Sequence, residues 1–393
     1  MPLPTLDPAD PLGLESLLAD EVRAVRDTVR RYLDDHVEPH IADWFEAGEL
    51  PTLPELAREL GRIGLLGMHL DGYGCAGMSA LAYGVACREL EATDSGLRSF
   101  VSVQGSLAMY AIHRFGSEEQ KQQWLPAMAA GEAIGCFGLT EPDHGSDPAA
   151  MATRARREGS DWVLDGRKMW ITNGSVAAVA VVWARTEEGV RGFVVPTGTP
   201  GFSAPEIRHK LSLRASVTSE LVLDGVRLPD SARLPHADGV GAPLTCLNEA
   251  RYGIVWGVTG AARSAWRTAA GYAAQREQFG RPVAGFQLTQ QKLVDMALEL
   301  HKATMTALRL ADLKDSPEGV HPAQISFGKL NNVREALEIC RTARTVLGAN
   351  GISLEYPVIR HMVNLESVLT YEGTSEMHTL ALGQALTGLP AFR

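Results

Sequence analysis

An acidic side chain that could transfer a proton lies near the end of the chain, at Glu372. It follows the apolar run 368–371 and precedes Gly373, a residue type that lets the backbone come close to a ligand. Thr374 and the residues after it can offer the hydroxyl and N–H groups of a helix start. A carboxylate desolvated there has a raised pKa, which suits it to proton abstraction near neutral pH. Alternatively, Glu372 and Glu376 are ordinary first-turn acids that complement a helix dipole.

Composition limits the kind of protein that positions this carboxylate. The 393 residues, 45% hydrophobic and 21% charged, suffice for two or three domains or one large layered unit. The formal net charge of −10 argues against a nucleic-acid surface, because phosphate binding needs clustered lysine and arginine. The N-terminus lacks a basic and apolar leader, and no apolar run reaches membrane-spanning length. We therefore expect a cytoplasmic protein that binds neither membranes nor nucleic acids.

The cysteines are scattered along the chain. They show neither the CxxC nor the Cys/His spacing of zinc sites, and no disulfide framework is indicated. We therefore expect no metal site, and reduced thiols within cores, at Cys75, Cys87, Cys136, Cys246 and Cys340.

Helical patterns dominate the first third of the chain. Apolar residues recur at steps of three and four over 18–33, which predicts an amphipathic helix. A second helix is expected to begin around Pro54, and a third over 78–92. A capping box at Ser117 then starts a helix that should stop at Gly131.

Residues 72–77 match the G-x-G-x-x-G dinucleotide pattern and precede a helix. The residues before them, 60–70, are interrupted by three glycines and do not read as a central parallel strand. A βαβ unit would therefore lack its first element, which disfavours dinucleotide binding here.

The middle of the chain has a β texture, and the last part is helical again. Turn signals such as Asp165-Gly166 separate short β-type runs, which predicts a small antiparallel β domain from the runs 134–139, 168–172, 179–184, 193–195 and 221–223. Long helical patterns follow over 286–313 and 322–347. The order helix, sheet, helix predicts an α+β fold that is mostly α.

Four separated motifs occur in the order found in acyl-CoA dehydrogenases, and the chain resembles that family over essentially its whole length: FGLTEPDHGSD at 137–147, WITN at 170–173, Arg276 to Phe279 with Gln287, and YEGT at 371–374. Within the family it is most similar to glutaryl-CoA dehydrogenases, through residues 94–99, 212–216, 248–254 and 363–366. The resemblance implies an N-terminal helical domain over 1–132, a middle antiparallel β domain over 133–240, and a C-terminal four-helix bundle over 241–393.

The resemblance also implies FAD as cofactor and a homotetramer. Residues along the isoalloxazine ring and its phosphates would be Phe137, Leu139, Thr140, Gly145, Ser146, Trp170, Ile171 and Thr172. The FAD of a neighbouring subunit would be reached by Arg276, Phe279 and Gln287. Further cofactor positions carried over from the family are Thr345, Gly348, Thr374 and Glu376. An electron-transfer flavoprotein is the acceptor implied by the family.

Glu372 matches the catalytic base of the family. In this role it removes the α-proton of an acyl-CoA thioester while hydride leaves the β-carbon for the flavin. The backbone N–H of Glu372 and a flavin ribityl hydroxyl would polarise the thioester carbonyl. Other substrate positions implied by the family are Gly373 at the base loop and, for the CoA moiety, Ser146, Asn248 and Arg251.

Arg98 distinguishes branches of the family. An arginine at the end of the acyl site would pair with a distal carboxylate, whereas straight-chain enzymes place apolar side chains there. Ser99, Glu91 and Tyr371 match pocket positions of the glutaryl enzymes. The implied reaction is oxidation of glutaryl-CoA followed by decarboxylation to crotonyl-CoA, with Glu372 returning a proton. The alternative reading of Arg98 is a solvated charge at a helix end.

The pattern departs from the glutaryl enzymes at four places. Thr345, Ala349 and Leu354 replace the usual Asp, Gly and Asp, and the motif 375–377 is that of the wider family. These departures leave several functions open: a dehydrogenase for another short, branched or dicarboxylic acyl thioester, one that does not decarboxylate, an oxidase, or a catalytically silent flavoprotein.

Overall fold

A computed structural model describes residues 6–391. Residues 1–5 and 392–393, at the outer ends of the first and third predicted domains, lie outside the described residues, as does most of the N-terminal stretch used to argue against a leader. The described chain runs from helices through a sheet to helices again. The predicted α+β, mostly helical fold class is confirmed.

The N-terminal helices follow the sequence patterns closely. Val22, Val29 and Leu33 are buried on one side of the first helix. The capping box at Ser117 is present, with both of its hydrogen bonds. The helices are α1 (Asp20–His36), α2 (Ile41–Ala47), α3 (Leu53–Arg62), α4 (Ala80–Thr93), α5 (Ser95–Ser102), α6 (Tyr110–Phe115) and α7 (Glu118–Ala129), with a π-helical segment Val103–Met109 before α6.

The sheet is mixed, although most of its pairings are antiparallel. Its order is β1-β4-β2-β3-β7-β6, with β5 paired to β4. The β1 strand runs parallel to β4, a pairing that the sequence did not indicate. The strands are β1 (Gly135–Gly138), β2 (Arg154–Glu158), β3 (Asp161–Thr172), β4 (Val179–Thr186), β5 (Gly189–Pro196), β6 (Phe202–Ser203) and β7 (Thr218–Pro229).

Two stretches of this sheet were missed by pattern reading. Four of the five side chains of β2 are exposed, so it has almost no apolar run. The first half of β3 was also missed, because only its second half resembles a short apolar strand. Pairing with a neighbour, rather than burial of an alternating face, holds the charged β2 in the sheet.

Long helices make up the last part of the chain. Their bounds agree with the predicted ranges 286–313 and 322–347 to within two residues. The elements are α8 (Gly241–Gln275), a small hairpin β8 (Glu277–Gln278) and β9 (Arg281–Pro282), α9 (Gln287–Asp315), α10 (Pro322–Val346), α11 (Pro357–Thr370) and α12 (Ser375–Thr387).

Helices from the two ends of the chain share one apolar core. Leu90 of α4 clusters with Tyr252 and Trp256 of α8, and with Leu310 of α9. Close approach of α4 and α8 requires glycine on α8, since a Cβ at Gly260 would lie 1.9 Å from the carbonyl oxygen of Arg88. The N-terminal and C-terminal helices are therefore one packed unit around α4 and α8.

Residues 72–77 form a loop, and three of their glycines adopt positive φ. The preceding residues are the end of α3 and turns rather than a strand. This agrees with the expectation that the segment is no dinucleotide-binding unit. Elsewhere, Cys87, Cys136, Cys246 and Cys340 are buried free thiols, while Cys75 is partly exposed. In residues 6–391 no helix is long and apolar enough to cross a bilayer.

Replacing Gly260 with alanine should separate α8 from α4. The new methyl group overlaps backbone that cannot move alone, so we expect a loss of about 1–3 kcal/mol in the free energy of unfolding. Gly271→Ala, on the same helix, is the control, because its added Cβ has no atom within 4 Å apart from the helix's own adjacent backbone. That variant should be neutral or gain up to about 1 kcal/mol. Equal melting temperatures for the two variants would contradict the packing described.

Candidate active site

The short loop between α11 and α12 carries Glu372 in an unusual backbone conformation. Glu372 has φ 54° and Gly373 has φ 97°, both in the left-handed region. Thr374 then caps α12, accepting a hydrogen bond from the backbone N–H of Met377. Glu372 therefore precedes the helix, whereas Glu376 is exposed in its first turn. The simple reading as a first-turn acid fits Glu376 and does not fit Glu372.

The side chain of Glu372 has one buried carboxyl oxygen, although the residue as a whole is only half-buried. Its Oε2 atom has no hydrogen-bond partner within the described residues. Burial raises the pKa of this carboxyl, and the positive charges of Arg98, Lys329 and Arg251 oppose that rise. A carboxylate of this kind has a free acceptor atom and an increased tendency to take up a proton.

Arg98, on α5, has a side chain that is 0% exposed. Its Nε donates to Glu91 Oε2 at 2.6 Å, and its Nη2 donates to the Tyr371 hydroxyl. Its Nη1 atom has no partner in the part of the chain that the structure describes. Ser95 donates to the other Glu91 oxygen at 2.8 Å. The Arg98–Glu91 pair is thus neutral overall, and Nη1 of the guanidinium is left for a further acceptor.

The predicted pocket residues meet around this pair. Arg98 lies over the Tyr371 ring, 5.8 Å from its centroid, so its guanidinium contacts the loop 371–374 that carries Glu372, here called the base loop. Ser99, the next residue on α5, is buried. Gly257 of α8 leaves room for the pair, because a Cβ there would lie 2.1 Å from Glu91 Oε2. The interpretation of Arg98 as a solvated charge is therefore excluded by its burial.

A second buried charge cluster joins the helix of Arg98 to the helix that leads to Glu372. Asp94 caps α5, accepting from the Gly96 N–H at 2.7 Å. Its other oxygen accepts from Arg360 at 3.1 Å and from Asn364 at 2.9 Å, both on α11. These contacts fix the ends of α5 and α11 relative to each other, and with them Arg98 and the base loop.

The residues predicted to contact CoA are placed in two locations. Arg251 lies under the base loop, where Nε donates to the Glu372 carbonyl at 2.7 Å and Nη1 donates to Asn248 at 3.1 Å. A Cβ on Gly373 would lie 3.3 Å from Arg251 Nη2. Ser146 is exposed in the loop that follows β1. The structure therefore assigns Arg251 a contact with the loop backbone that the sequence did not indicate.

The predicted flavin residues lie at the ends of β1 and β3. The backbone N–H of Met169 donates to the Thr140 carbonyl at 2.8 Å, which brings the two segments together. A bulge between Lys168 and Ile171 gives Trp170 φ 63° and leaves it 60% exposed. Thr140 and Thr172 are half-buried beside it, Gly145 is exposed in the following loop, and the buried members are Phe137, Leu139 and Ile171. An exposed tryptophan flanked by hydroxyl groups fits a flat aromatic cofactor.

The positions predicted to reach another subunit's FAD, Arg276, Phe279 and Gln287, lie around the end of α8 and the start of α9, and two further predicted cofactor positions, Thr345 and Gly348, lie around the end of α10. Arg276 and Gly348 line a groove with Tyr272, Gln278 and Val346. The side chain of Phe279 is 95% exposed. Gln287 and Thr345 are also exposed, at the ends of α9 and α10. An apolar ring this exposed is typical of a surface that another molecule covers.

Several residues that shape the site were not found from the sequence. Lys329 of α10 contacts the base loop, and Asp94, Arg360 and Asn364 join α5 to α11. For Lys329 the available signal was a lone lysine within the mostly apolar stretch 325–330 of a predicted helix. Such a residue is usually interpreted as a surface charge, because lysine is seldom fully buried.

The fold and site define an oxidoreductase of the acyl-CoA dehydrogenase class. Family models for the N-terminal, middle and C-terminal domains of acyl-CoA dehydrogenase match residues 19–132, 136–226 and 237–387. The human mitochondrial short-chain specific acyl-CoA dehydrogenase is 37% identical over 332 residues, covering 83% of this chain and 80% of that protein. The chain therefore belongs to the acyl-CoA dehydrogenase family.

Solved structures give a more specific similarity. A glutaryl-CoA dehydrogenase from Mycobacterium smegmatis is 71% identical, with a TM-score of 0.97 and coverage of 98% of this chain and 99% of that one. A second glutaryl-CoA dehydrogenase from the same organism, solved in complex with FADH2, is 61% identical, with a TM-score of 0.97 and coverage of 99% and 100%. The chain thus resembles glutaryl-CoA dehydrogenases along nearly its entire length.

Proposed function

We propose that this protein is an FAD-dependent glutaryl-CoA dehydrogenase that forms crotonyl-CoA and carbon dioxide. The observation that carries the proposal is that Glu372 and Arg98, which bonds the neighbouring Tyr371, each have a buried polar atom without a partner among the described residues, Oε2 and Nη1 respectively. A thioester with a carboxylate at its far end offers a proton to the first and two oxygen atoms to the second. The identity to glutaryl-CoA dehydrogenases supports this substrate.

Glu372 acts as the base. Its ionised carboxylate takes the α-proton of the thioester, and burial makes that transfer more favourable than it would be in water. FAD, when bound, supplies the acceptor for the hydride from the β-carbon. The distal carboxylate then leaves as carbon dioxide with its electrons delocalised into a dienolate, and the protonated Glu372 returns a proton to give crotonyl-CoA. Atoms and charge balance without another acid.

Arg98 binds the distal carboxylate of the substrate. Glu91 already balances the guanidinium charge, and Tyr371 occupies one further donor, so the free Nη1 directs the incoming carboxylate to one place. An acyl chain without a carboxylate leaves that buried donor unsatisfied, at a cost of about 1–3 kcal/mol. Selectivity against monocarboxylic acyl chains follows from this penalty.

The residues at the ends of β1 and β3 fit FAD. We propose that Thr140, Trp170 and Thr172 hold the flavin ring, with Phe137, Leu139, Gly145, Ser146 and Ile171 shaping their loops. Thr374 and Glu376 would contribute at the start of α12. Ser146 and Asn248 would contact CoA. The exposed Trp170, turned outward by the strand bulge, supports this assignment.

We also propose a homotetramer in which Arg276, Phe279 and Gln287 contact the FAD of a neighbouring subunit, with Thr345 and Gly348 as further cofactor contacts. Supporting this are apolar side chains exposed on helix surfaces that a soluble monomer would normally avoid: Leu288, Val294, Leu298 and Met305 on α9, and Phe327 on α10. The first two parts proposed as domains, 1–132 and 133–240, each contain a matched family segment, and the third match begins at residue 237, four residues before the proposed part 241–393. An electron-transfer flavoprotein is the proposed acceptor.

The first test is anaerobic addition of glutaryl-CoA to the purified yellow protein. We expect loss of the flavin absorbance near-stoichiometrically with substrate, and crotonyl-CoA as the product by mass. Glutaconyl-CoA as the product would remove the decarboxylation step from the proposal. Bleaching by butyryl-CoA with no bleaching by glutaryl-CoA would overturn the assigned substrate.

Glu372→Gln should give a folded, yellow protein that is nearly inactive. Glutamine keeps the size of the side chain and cannot take the α-proton, so the rate of flavin reduction should fall on the order of 10²–10⁴-fold. Glu366→Gln on α11 is the control, because Glu366 is half-exposed and pairs only with the exposed Arg341. It should reduce flavin at the wild-type rate. Wild-type turnover by Glu372→Gln would refute the assignment of Glu372 as the catalytic base.

Removing the Arg98 guanidinium should change the selectivity between acyl-CoA substrates more than the rate of dehydrogenation itself. Arg98→Met combined with Glu91→Gln eliminates the guanidinium without leaving a buried unpaired carboxylate. We expect kcat/KM for glutaryl-CoA to fall on the order of 100-fold, as for loss of a buried charged hydrogen bond. With butyryl-CoA the value should stay within about threefold or increase, because that chain has no carboxylate to lose. Parallel losses with both substrates would show that Arg98 does not read the carboxylate.

A further inference from the structure

Two cationic side chains from different helices, one buried and one half-buried, hold the loop that carries Glu372. Lys329, on α10, donates through Nζ to the carbonyls of Tyr371 and Gly373, at 2.7 Å each. Arg251, on α8, donates through Nε to the carbonyl of Glu372, which lies between them, also at 2.7 Å. Three consecutive carbonyl groups around the base are therefore bound by side chains of the helical bundle.

The backbone at Glu372 needs such support. A residue with a side chain at φ 54° is in the left-handed region, where its Cβ is crowded against the following carbonyl oxygen. Conformations of this kind persist only where the surroundings impose them. Bonds to the carbonyls on both sides of Glu372 remove the freedom of the loop to relax into an ordinary turn.

Lys329 is buried without a paired carboxylate to balance its charge. Its residue is 2% exposed, and no carboxylate lies within salt-bridge distance of Nζ among residues 6–391. The other fully buried lysine, Lys168, pairs with Glu141 at 2.8 Å. Burial lowers the pKa of Lys329 to about 7, and the nearby charge of Glu372 opposes that lowering. A buried ammonium that bonds only carbonyls is costly, which points to a role at the loop it contacts.

We propose that Lys329 is a positioning residue for the base: it holds Glu372 in its left-handed conformation through the flanking carbonyls and places a positive charge beside the carboxylate. The part of this inference that concerns catalysis rests on the proposed role of Glu372 as the base, whereas the part that concerns the loop conformation does not. Arg251 bonds the carbonyl of Glu372 itself, and we call these bonds from Lys329 and Arg251 to the three loop carbonyls the clamp. Neither residue touches the reacting atoms in this role.

The expected pH effect follows from all the charged groups that face Glu372. They are Arg98 from α5, Lys329 from α10, Arg251 from α8 and Glu91 from α4. Two further titratable groups lie at the loop: burial lowers the pKa of His378, on α12, to about 3 and raises that of Tyr371, so both are uncharged near neutral pH. A neighbouring cation favours the ionised carboxylate and so lowers its pKa. Loss of Lys329 therefore raises the pKa of Glu372 while two cations remain. Because the base must be ionised to act, the acidic limb of the kcat/KM profile moves to higher pH.

The test compares Lys329→Met with a matched control on the same helix. Asn332 lies one turn further along α10, is buried, and also donates to two carbonyls, of Val255 at 3.0 Å and of Ala303 at 2.9 Å. We expect Lys329→Met to reduce kcat by about 10–100-fold, typical of a misplaced catalytic group, and to move the acidic limb up by roughly one pH unit. Asn332→Leu should lower the melting temperature while leaving the acidic limb where it is.

A second readout does not depend on the substrate. Hydrogen exchange of the peptide covering 371–378 should be about tenfold faster in Lys329→Met than in wild type and in Asn332→Leu, because the loop opens locally. If glutaryl-CoA fails to reduce the wild-type flavin while this exchange increases, the clamp stands and the proposed substrate falls. Wild-type exchange in Lys329→Met together with an unmoved acidic limb would overturn the clamp.

Lys329→Gln separates position from charge. Glutamine can still donate to a loop carbonyl but carries no charge, so we expect a smaller loss of kcat with the acidic limb still moved upward. Where Lys329→Met does not fold, this variant decides: an upward shift supports the proposal, and an unmoved limb overturns it.

Discussion

Burial of paired charges between helices is the constraint on which this arrangement depends. Asp94 and Arg360 join α5 to α11, and Glu89 binds Arg263 through two hydrogen bonds, joining α4 to α8. Arg98 adds a third buried pair next to them. Breaking one member of such a pair costs about 3–5 kcal/mol, because the other is left buried without compensation. Helices from opposite ends of the chain can therefore pack in only one relative position.

This fixed packing explains how a short loop can hold a reactive group. Arg98 is one turn beyond Asp94 on α5, and α11, which binds Asp94, ends just before Glu372. The distance between Arg98 and Glu372 is thus set by rigid helices rather than by the loop. In the proposed reaction such a site selects acyl chains by length as well as by charge, since the distal carboxylate must reach Arg98 while the α-carbon of the substrate lies at Glu372.

Local signals predicted much of the fold, and contacts between distant segments explain most of what was missed. The helix at Ser117 carries its cap in its own sequence, whereas the charged strand β2 forms only by pairing with its neighbours. At the site, Glu372 and Arg98 belong to recognisable motifs. The residues that support them do not, because Lys329 contacts the loop from α10 and Arg251 bonds a backbone atom. A carbonyl acceptor has no sequence identity, so no pattern of residue types can reveal it.

The pairing of α4 with α8 also bears on how the chain folds. Nearly every residue of α4 is buried, much of it against α8, yet the whole sheet lies between these helices in the sequence. Contacts between segments so far apart form slowly, because chain entropy is lost before they are made. During synthesis the N-terminal helices leave the ribosome with apolar surface that only a later segment covers. Until α8 emerges, that surface is open to aggregation and is a natural substrate for chaperones.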